Sequence, residues 1–591
     1  MNDAISTEVI GSALASVADE VYTALVKSAY SANIKERQDC SAAIIDAAGR
    51  VAAISDMSIP VHLGSFSLTG AALLERFPDI AAGDVYVVND PYSGGPSHLA
   101  DVTFVAPVFC AGGLVAFVAN VGHWPDIGGK APGQCSLGDG TEVFQEGLRI
   151  PPIRLYEKGA LRRDMLDLIL CNVRDADDRM GDIRAHVGCL RLGERRVQEI
   201  AARHGALTLR HAIDEMARAS EVRIRHAILN RLAAGEYEAI DYLDDDLDSD
   251  GPIPLKVKVT VTHVPEPSVT VDFTGTAPAI KLGMNCPYQG TQATVYWVMR
   301  SILDPSIPPN DGFSRPLHIV APPGTIVCPV APSPVGARYQ VVCQLVDLIS
   351  HALASAVLQP SIEAGSNGVH GIGFSSRNPR FIYYETVAGG SGGRANDDGI
   401  DCVHTTSNMP IEAMESEFPL MADRLEYLVD SGGPGRFRGG LGVRKDYRAL
   451  VPVFAAVQSN RHHIPGPALF GGGTGVLSRI ELRDGASGEA RLLARQGSLI
   501  PVKPGDVLTI YSGGGGGYGN ALERAPELVA ADVRNGKVSA ARAASDYGVV
   551  IPAGSFTPDL GATAALRARM RAGQSVPSVP GAPAVPAPAA A

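Results

Sequence analysis

The chain has 591 residues, of which 45% are hydrophobic and 19% charged, a composition typical of a large globular protein with several hydrophobic cores. Its 51 basic and 63 acidic residues give a formal net charge of −12 without any run rich in lysine and arginine, so we expect no nucleic-acid partner. The N-terminus lacks a secretory pattern, no apolar run suggests a membrane span, and the nine cysteines form no C-x-x-C pair, which together predict a cytoplasmic protein.

The first 240 residues predict an α+β region. Apolar residues recur at helical spacing over residues 7–30, which indicates an amphipathic helix. Residues 41–55 then predict a strand, a turn and a second strand, with Asp39 just before the first strand, and residues 84–90 predict another strand. Residues 160–236 predict a block of helices that closes this region.

The rest of the sequence predicts a higher content of β-strands. Residues 241–330 favour a β-rich region, because apolar and polar residues alternate strictly before and after a turn. We expect a central α/β region over 331–470, a β-rich region over 471–560 and a flexible Pro/Ala tail over 561–591. The predicted fold class is therefore α+β and multidomain.

Glycine makes up 65 of the 591 residues, which predicts many tight turns and close backbone contacts. Five consecutive glycines at 513–517 follow a predicted strand but lack the Lys and Ser/Thr of a phosphate-binding P-loop. We interpret them as a structural glycine turn, and the alternative is that their backbone approaches a neighbour or a partner. Any ATP that the protein uses is then expected to bind another chain.

The most informative segment is a predicted β-hairpin with strands at 102–110 and 114–122. With Gly112 at the centre of its turn, Asp101 lies directly opposite His123 on the neighbouring strand. Opposed residues of an antiparallel pair have Cβ atoms roughly 5 Å apart, and His98 precedes Asp101 by only three residues. The register therefore predicts that three good metal ligands meet at one end of the hairpin. The alternative is ordinary: a histidine at a strand end commonly makes hydrogen bonds, and an aspartate there commonly caps a turn.

Several segments together resemble the hydantoinase B/oxoprolinase family. They include NDPYSGGPSHLADVTFVAPVF (89–109), GHWPDIGGKAPG (122–133) and SGGGGGYGNALER (512–524), with further matching segments at 142–155, 271–278 and 389–419. The resemblance runs from about residue 10 to 525. Chains of this family include the B-type chains of N-methylhydantoinase, the β chains of caprolactamase and the α chains of acetone carboxylase.

The resemblance implies a two-part, ATP-dependent enzyme. A partner A-type subunit of the hydantoinase A/oxoprolinase family is expected to bind ATP and Mg²⁺ and to phosphorylate an oxygen of the substrate or of bicarbonate. The B-type chain would supply the metal site at which the activated species reacts. A hetero-oligomer such as α2β2 is the expected assembly.

The family's metal ligands correspond to His98, Asp101 and His123, and its aspartate before the first strand corresponds to Asp39. Two imidazoles and two carboxylates suit one zinc or manganese ion, and the sequence does not choose between them. His62 and Asp126 are candidates for contacts with the ligands or the substrate, with packing as the alternative for both. Arg338 is a candidate anion-binding residue.

The expected activity is hydrolysis of a cyclic amide, such as a lactam, hydantoin or oxoproline, with His98, Asp101 and His123 acting through the metal. Phosphorylation of the carbonyl oxygen would turn the resonance-stabilised amide into a good electrophile. The first alternative is an ATP-dependent ketone carboxylase of the acetone carboxylase type, in which bicarbonate takes part. The second is a scaffold subunit without catalysis, in which the metal is structural.

Overall fold

The computed structural model describes residues 4–133, 139–245, 251–359, 362–403 and 406–573. Within these ranges the chain forms thirteen α-helices, four short 3₁₀ turns and twenty strands in four separate sheets. The predicted α+β fold class is thereby confirmed. The predicted domain boundaries at 240, 330, 470 and 560 stay predictions.

The first sheet has seven antiparallel strands and contains the predicted hairpin. Its strands are β1 (Cys40–Asp46), β2 (Val51–Ile54), β3 (Val85–Val88), β4 (Asp101–Cys110), β5 (Gly113–His123), β6 (Ile153–Glu157) and β7 (Ala160–Leu161). They lie in the order β2-β1-β5-β4-β3-β6-β7, so the hairpin β4–β5 is central. The strands predicted at 41–55, at 84–90 and in the hairpin are confirmed.

Helices cover both faces of this sheet, which explains why its strands are apolar without alternation. The helices are α1 (Ala4–Ser28), α2 (Ala32–Lys35), α3 (Leu63–Arg76), α4 (Arg163–Leu170), α5 (Ala176–His204) and α6 (Ala206–Arg231). Val102 and Phe104 of β4 face one core with α1 and α5, whereas Val105 faces a second core with α3. Burial on both sides fixes the register, because a slip of one residue would exchange the two cores.

Helix α1 corrects one expectation. By length and composition, Ile5–Ser28 would suffice to cross a membrane, although we expected no such segment. In the fold, one face of this helix packs into the first core, with Ile10, Leu14 and Val21 fully buried. The helix therefore serves as a packing element of the first sheet.

The second sheet has four strands and provides one wall of the candidate site through its helices. The strands are β8 (Gly235–Leu243), β9 (Ile253–Thr262), β10 (Ser268–Asp272) and β11 (Leu317–Val320), in the order β11-β10-β9-β8. The predicted hairpin β9–β10 is confirmed by its antiparallel register. The helices of this region are α7 (Tyr288–Leu303) and α8 (Asp311–Ser314), which lie between β10 and β11 in the chain, and α9 (Tyr339–Leu353), which follows β11. Helices α7 and α9 pack on each other in this core.

The third and fourth sheets share one core. Their elements in chain order are β12 (Val369–Arg377), β13 (Arg380–Ala388), α10 (Ile411–Glu417), β14 (Leu420–Tyr427), β15 (Val443–Ala449), β16 (Val453–Gln458), β17 (Arg479–Arg483), β18 (Ala490–Leu492), β19 (Gln496–Val502) and β20 (Val507–Tyr511). The orders are β13-β12-β16-β19 and β14-β15-β20-β17-β18, and every pair is antiparallel. We expected an α/β region over 331–470. Because the strands of this segment pair antiparallel, its organisation is α+β instead.

The five glycines at 513–517 do not form the predicted turn. They contain neither a turn nor a bend, and they exchange backbone hydrogen bonds with other glycine-rich segments: Gly433 donates to Gly515 (2.8 Å), Gly515 donates to Gly440 (3.0 Å), and Gly516 donates to Gly365 (2.8 Å). The predicted close backbone approach is confirmed. The glycines are required because neighbouring backbones occupy the space that side chains would need.

Three further helices follow: α11 (Pro526–Arg534), α12 (Ala540–Tyr547) and α13 (Leu560–Arg571). Helix α13 corrects the expectation that residues 561–591 form a flexible tail, because Asp559 caps a regular helix there by accepting from the backbone N–H of Ala562. Residues 574–591 lie outside the described residues.

Candidate metal centre

The hairpin β4–β5 places Asp101 opposite His123, as its sequence predicts. Asp101 is the first residue of β4 and His123 the last residue of β5, and the two are register partners. The turn residues Ala111 and Gly112 have φ of 49° and 79°, the left-handed backbone that suits a tight hairpin turn. The predicted register is therefore confirmed at the end of the hairpin that bears the candidate ligands.

His98 completes the first group of candidate ligands. Its Nε2 lies 3.0 Å from Oδ2 of Asp101, and its ring centroid lies 5.2 Å from that of His123. His98, Asp101 and His123 each offer a ligand atom within 4.8 Å of the other two, and all three side chains are buried. The three residues that the hairpin register groups together thus meet in space.

Two amide side chains fix the loop that bears His98. Asn89 donates to the carbonyl of Leu99 (2.8 Å) and accepts from the backbone of Ile150 (2.6 Å). Gln289, on α7, donates to carbonyls of the loop at Pro91, Gly95 and Pro96. The ligand loop is therefore tied to both the first sheet and the second core, which preorganises His98.

Asp39 approaches Asp101 from the segment just before β1. Its carbonyl accepts the backbone N–H of His123 at 3.0 Å, because β1 pairs with β5. Asp39, His62 and Asp101 form a second group whose ligand atoms also lie within 4.8 Å of one another. The two groups share Asp101, so Asp101 is the centre of the arrangement. Among the described residues Asp39 is thus grouped with His62 and Asp101, and not with His98 and His123.

Neighbouring polar side chains orient these residues. The side-chain amide of Asn33 lies 3.0 Å from Nδ1 of His123, and the Ser41 hydroxyl lies 2.8 Å from Nδ1 of His62. His62 Nε2 lies 3.4 Å from Oδ2 of Asp101. These contacts hold the two imidazole rings in fixed orientations.

Arg338 contacts Asp101 directly. Its Nη2 donates to Oδ2 of Asp101 at 3.1 Å, and its Nε donates to the hydroxyl of Ser97 at 2.8 Å. Arg338 therefore forms an ion pair with Asp101, and its role in binding a substrate anion stays a prediction.

Burial sets the protonation of these groups. Burial, with the charge of Arg338 adding to it, lowers the pKa of His98 to about 4. Burial also holds the pKa of His123 well below its usual value. The pKa of Asp39 is raised by burial and partly restored by Arg37. Burial alone would raise the pKa of Asp101, but His98 and His62 hold it well below its usual value. Two neutral imidazoles and an ionised carboxylate are the forms that bind a metal ion.

The residues present fit a divalent metal ion. Oδ1 of Asp101 is buried and has no hydrogen-bond partner among the described residues, although Oδ2 contacts several groups. A buried carboxylate oxygen without a partner is costly, and a cation would satisfy it. Imidazole nitrogens and carboxylate oxygens are ligands that both zinc and manganese accept.

A small cavity of about 90 Å³, here called the site cavity, opens beside these ligands. Its lining includes the charged or ionisable side chains of Arg37, Asp39, His62, Asp101, His123 and Arg338. Its aromatic lining consists of Trp297, Tyr339 and Tyr384. Converging polar groups and aromatic rings are the usual lining of a small-molecule site, and this cavity is smaller than the several hundred Å³ that such sites usually have.

Asp126 is placed elsewhere, which corrects its candidacy as a contact of the ligands or the substrate. Its carboxylate accepts from the backbone N–H of Gly128 (3.1 Å) and from the backbone and guanidinium of Arg174 (2.9 and 2.8 Å). These bonds shape the loop after β5. The packing alternative therefore holds for Asp126.

Sequence reasoning missed Arg37, Asn33 and Tyr384. Tyr384, on β13, stacks on His123 with ring centroids 5.2 Å apart and planes 7° apart. No local pattern links it to the hairpin, because it comes from a different sheet. Arg37 and Asn33 do lie close to Asp39 in the sequence, and that proximity was the available signal.

Known proteins of similar length resemble this chain over nearly all of it. The chain is 33% identical to a putative D-/L-hydantoinase chain of the B type from Pseudomonas sp. (strain NS671), over 93% of its own length and 95% of the relative. It is 30% identical to the beta chain of caprolactamase from Pseudomonas jessenii, over 96% of its own length and 99% of the relative.

Two solved structures share the fold. The crystal structure of ATP-dependent caprolactamase from Pseudomonas jessenii matches with a TM-score of 0.87 at 29% identity, over 96% of this chain and all of that one. A nucleotide-free acetone carboxylase structure matches with a TM-score of 0.87 at 21% identity, over 98% of this chain and 84% of that one, which shows the fold alone. The family profile described as Hydantoinase B/oxoprolinase matches residues 3–521. The chain therefore belongs to the hydantoinase B/oxoprolinase family.

Proposed function

We propose that this chain is the metal-containing B-type component of an ATP-dependent hydrolase of cyclic amides. The observation that carries the proposal is the meeting of His98, Asp101 and His123 beside the site cavity. The relatives named as a hydantoinase and a caprolactamase support cyclic amides as the substrate class.

His98, Asp101, His123 and Asp39 would hold one zinc or manganese ion. When bound, such an ion lowers the pKa of water and stabilises negative charge that develops on oxygen. His62 and Arg338 keep the Asp101 carboxylate oriented, since both contact its Oδ2. Asn33 and Tyr384 fix the plane of the His123 ring.

An A-type ATPase partner would activate the substrate. Amide carbonyls resist attack because the nitrogen donates electron density to them, and transfer of a phosphoryl group to the carbonyl oxygen removes that protection. Both relatives are named as single subunits of their enzymes, which supports a partner chain here. We propose that ATP and Mg²⁺ bind that partner in a hetero-oligomer such as α2β2, located in the cytoplasm, and that bicarbonate is a candidate co-reactant.

The second candidate is a ketone carboxylase of the acetone carboxylase type, whose fold this chain shares with the same TM-score as that of the caprolactamase. A third, the scaffold with a structural metal, is disfavoured because closed structural sites have no adjoining cavity, whereas this one does.

An assay of the complex separates the first two candidates. The chain is co-expressed with its cognate A-type partner and supplied with ATP and either a panel of lactams, hydantoins and 5-oxoproline or acetone with labelled bicarbonate. We expect ATP-dependent ring opening of at least one cyclic amide without net fixation of CO₂. Fixation of the label into acetone, with no ring opened, would favour the carboxylase instead.

A further inference from the structure

Arg37 is a buried cation whose hydrogen-bonding capacity is largely unused. Its side chain is 1% exposed and lines the site cavity together with Asp39 and Asp101. Its Nη2 donates to the hydroxyls of Thr386 (2.6 Å) and Thr406 (3.0 Å). Nε and Nη1, which bear three N–H bonds, have no hydrogen-bond partner among the described residues.

The guanidinium is held in place beside the candidate ligands. Its central carbon lies 4.9 Å from the ring centroid of Tyr384, whose other stacking partner is His123. Tyr384 therefore connects Arg37 to a candidate ligand, and the threonine contacts fix one end of the guanidinium. A cation ordered in this way without partners for its remaining donors is costly, unless a ligand supplies the acceptors.

The charges around the site cavity indicate the kind of ligand. Arg37 and Arg338 balance Asp39 and Asp101 when all four are ionised. A divalent ion on the two carboxylates would leave an excess of two positive charges in a buried space. A dianionic oxyanion restores neutrality, and guanidinium groups form strong charge-assisted hydrogen bonds with phosphoryl oxygens.

We propose that Arg37 binds the phosphoryl group of the activated substrate. The inference rests on the proposed function and extends it: the phosphoryl group of the activated substrate would enter the site cavity with its oxygens on Nε and Nη1 of Arg37. Arg37 is thus a substrate-binding residue.

Calorimetric titration of the full chain, loaded with Zn²⁺, uses inorganic phosphate as the probe. Acetate and bicarbonate are the comparison anions. We expect phosphate to bind more tightly than either, and Arg37→Met to weaken phosphate binding roughly 10- to 100-fold, because a charge-assisted hydrogen bond is lost. Metal content and thermal stability, measured on the same samples, show whether the variant is intact.

Two further variants separate binding from support of the fold. Arg37→Lys keeps a positive charge and is expected to recover part of the phosphate affinity, and it replaces Arg37→Met if that variant does not fold. Thr386→Val removes one anchor of Nη2 but keeps the guanidinium, and should cost much less affinity than Arg37→Met. Phosphate binding that is equal in the wild type and both Arg37 variants, or absent from the wild type, would overturn the proposal.

The assay of ring opening keeps the two proposals apart. If the complex hydrolyses a cyclic amide but phosphate binding does not depend on Arg37, the role of Arg37 fails and the proposed function stands. If phosphate binds through Arg37 but no cyclic amide is opened, the anion site stands and the proposed substrate class fails.

Discussion

Replacing Asp101 by asparagine is expected to lower turnover of the assembled complex at least about 100-fold and to reduce its bound metal. Asp101 belongs to both groups of candidate ligands and contacts His98, His62 and Arg338 through Oδ2. Asparagine keeps the shape but removes the charge and replaces one oxygen by a donor. Loss of partners outside the ligand shell already costs about 10- to 100-fold in many metal sites, so a ligand should cost no less.

The measurement combines steady-state rates, metal analysis of the purified complex and gel filtration to verify assembly. Asp126→Asn is the matched control, because it makes the same chemical change in the neighbouring loop, where the carboxylate binds Arg174. We expect Asp126→Asn to keep its metal. An Asp101→Asn complex with wild-type turnover and metal content would contradict the catalytic role of the site.

Replacing Gly515 by alanine is expected to destabilise the fold by at least about 3 kcal/mol, which is at the upper end for overpacking. A Cβ on Gly515 would overlap the carbonyl of Ser391, and Gly515 is held on both sides by hydrogen bonds to Gly433 and Gly440. The obstacle is backbone rather than a side chain that could rotate away. The glycine-rich segments would therefore have to separate.

Thermal and denaturant unfolding of the purified chain measure this effect, together with the soluble yield. Gly188→Ala is the matched control: Gly188 lies within helix α5, and nothing lies within 4 Å of the position of its added Cβ. Alanine there should be neutral or stabilising by up to about 1 kcal/mol, because it favours the helix. Equal stabilities of the two variants would refute the close packing of the glycine segments.

Local sequence patterns predicted the parts of the site that lie on one hairpin or next to one strand. Two apolar runs and a glycine turn predicted the pairing of Asp101 with His123. In the structure the turn pairs Cys110 with Gly113, and an irregularity between Val108 and Phe109 brings the rest of the hairpin into the predicted register. The strand that follows Asp39 was equally clear. Its approach to the hairpin came from the family resemblance, since sheet order is a tertiary property.

Contacts between distant segments could not be predicted. Arg37 meets Thr386 across 349 residues of sequence, and no periodicity encodes that meeting. The five glycines at 513–517 indicated a close backbone approach, but their partners around Ser391, Gly433 and Gly440 depend on the packing of whole sheets. Asp126 is the opposite case. It lies near the candidate ligands in the sequence and was predicted to contact them or the substrate, but its carboxylate accepts hydrogen bonds within its own loop.

The most direct test of the metal centre is anomalous diffraction from crystals of the purified complex at the zinc and manganese absorption edges. We expect one ion per chain, about 2.0–2.2 Å from ligand atoms of His98, Asp101 and His123, which are usual distances for such ligands. A fully active preparation with no transition metal, or an ion bound away from Asp101, would contradict the account.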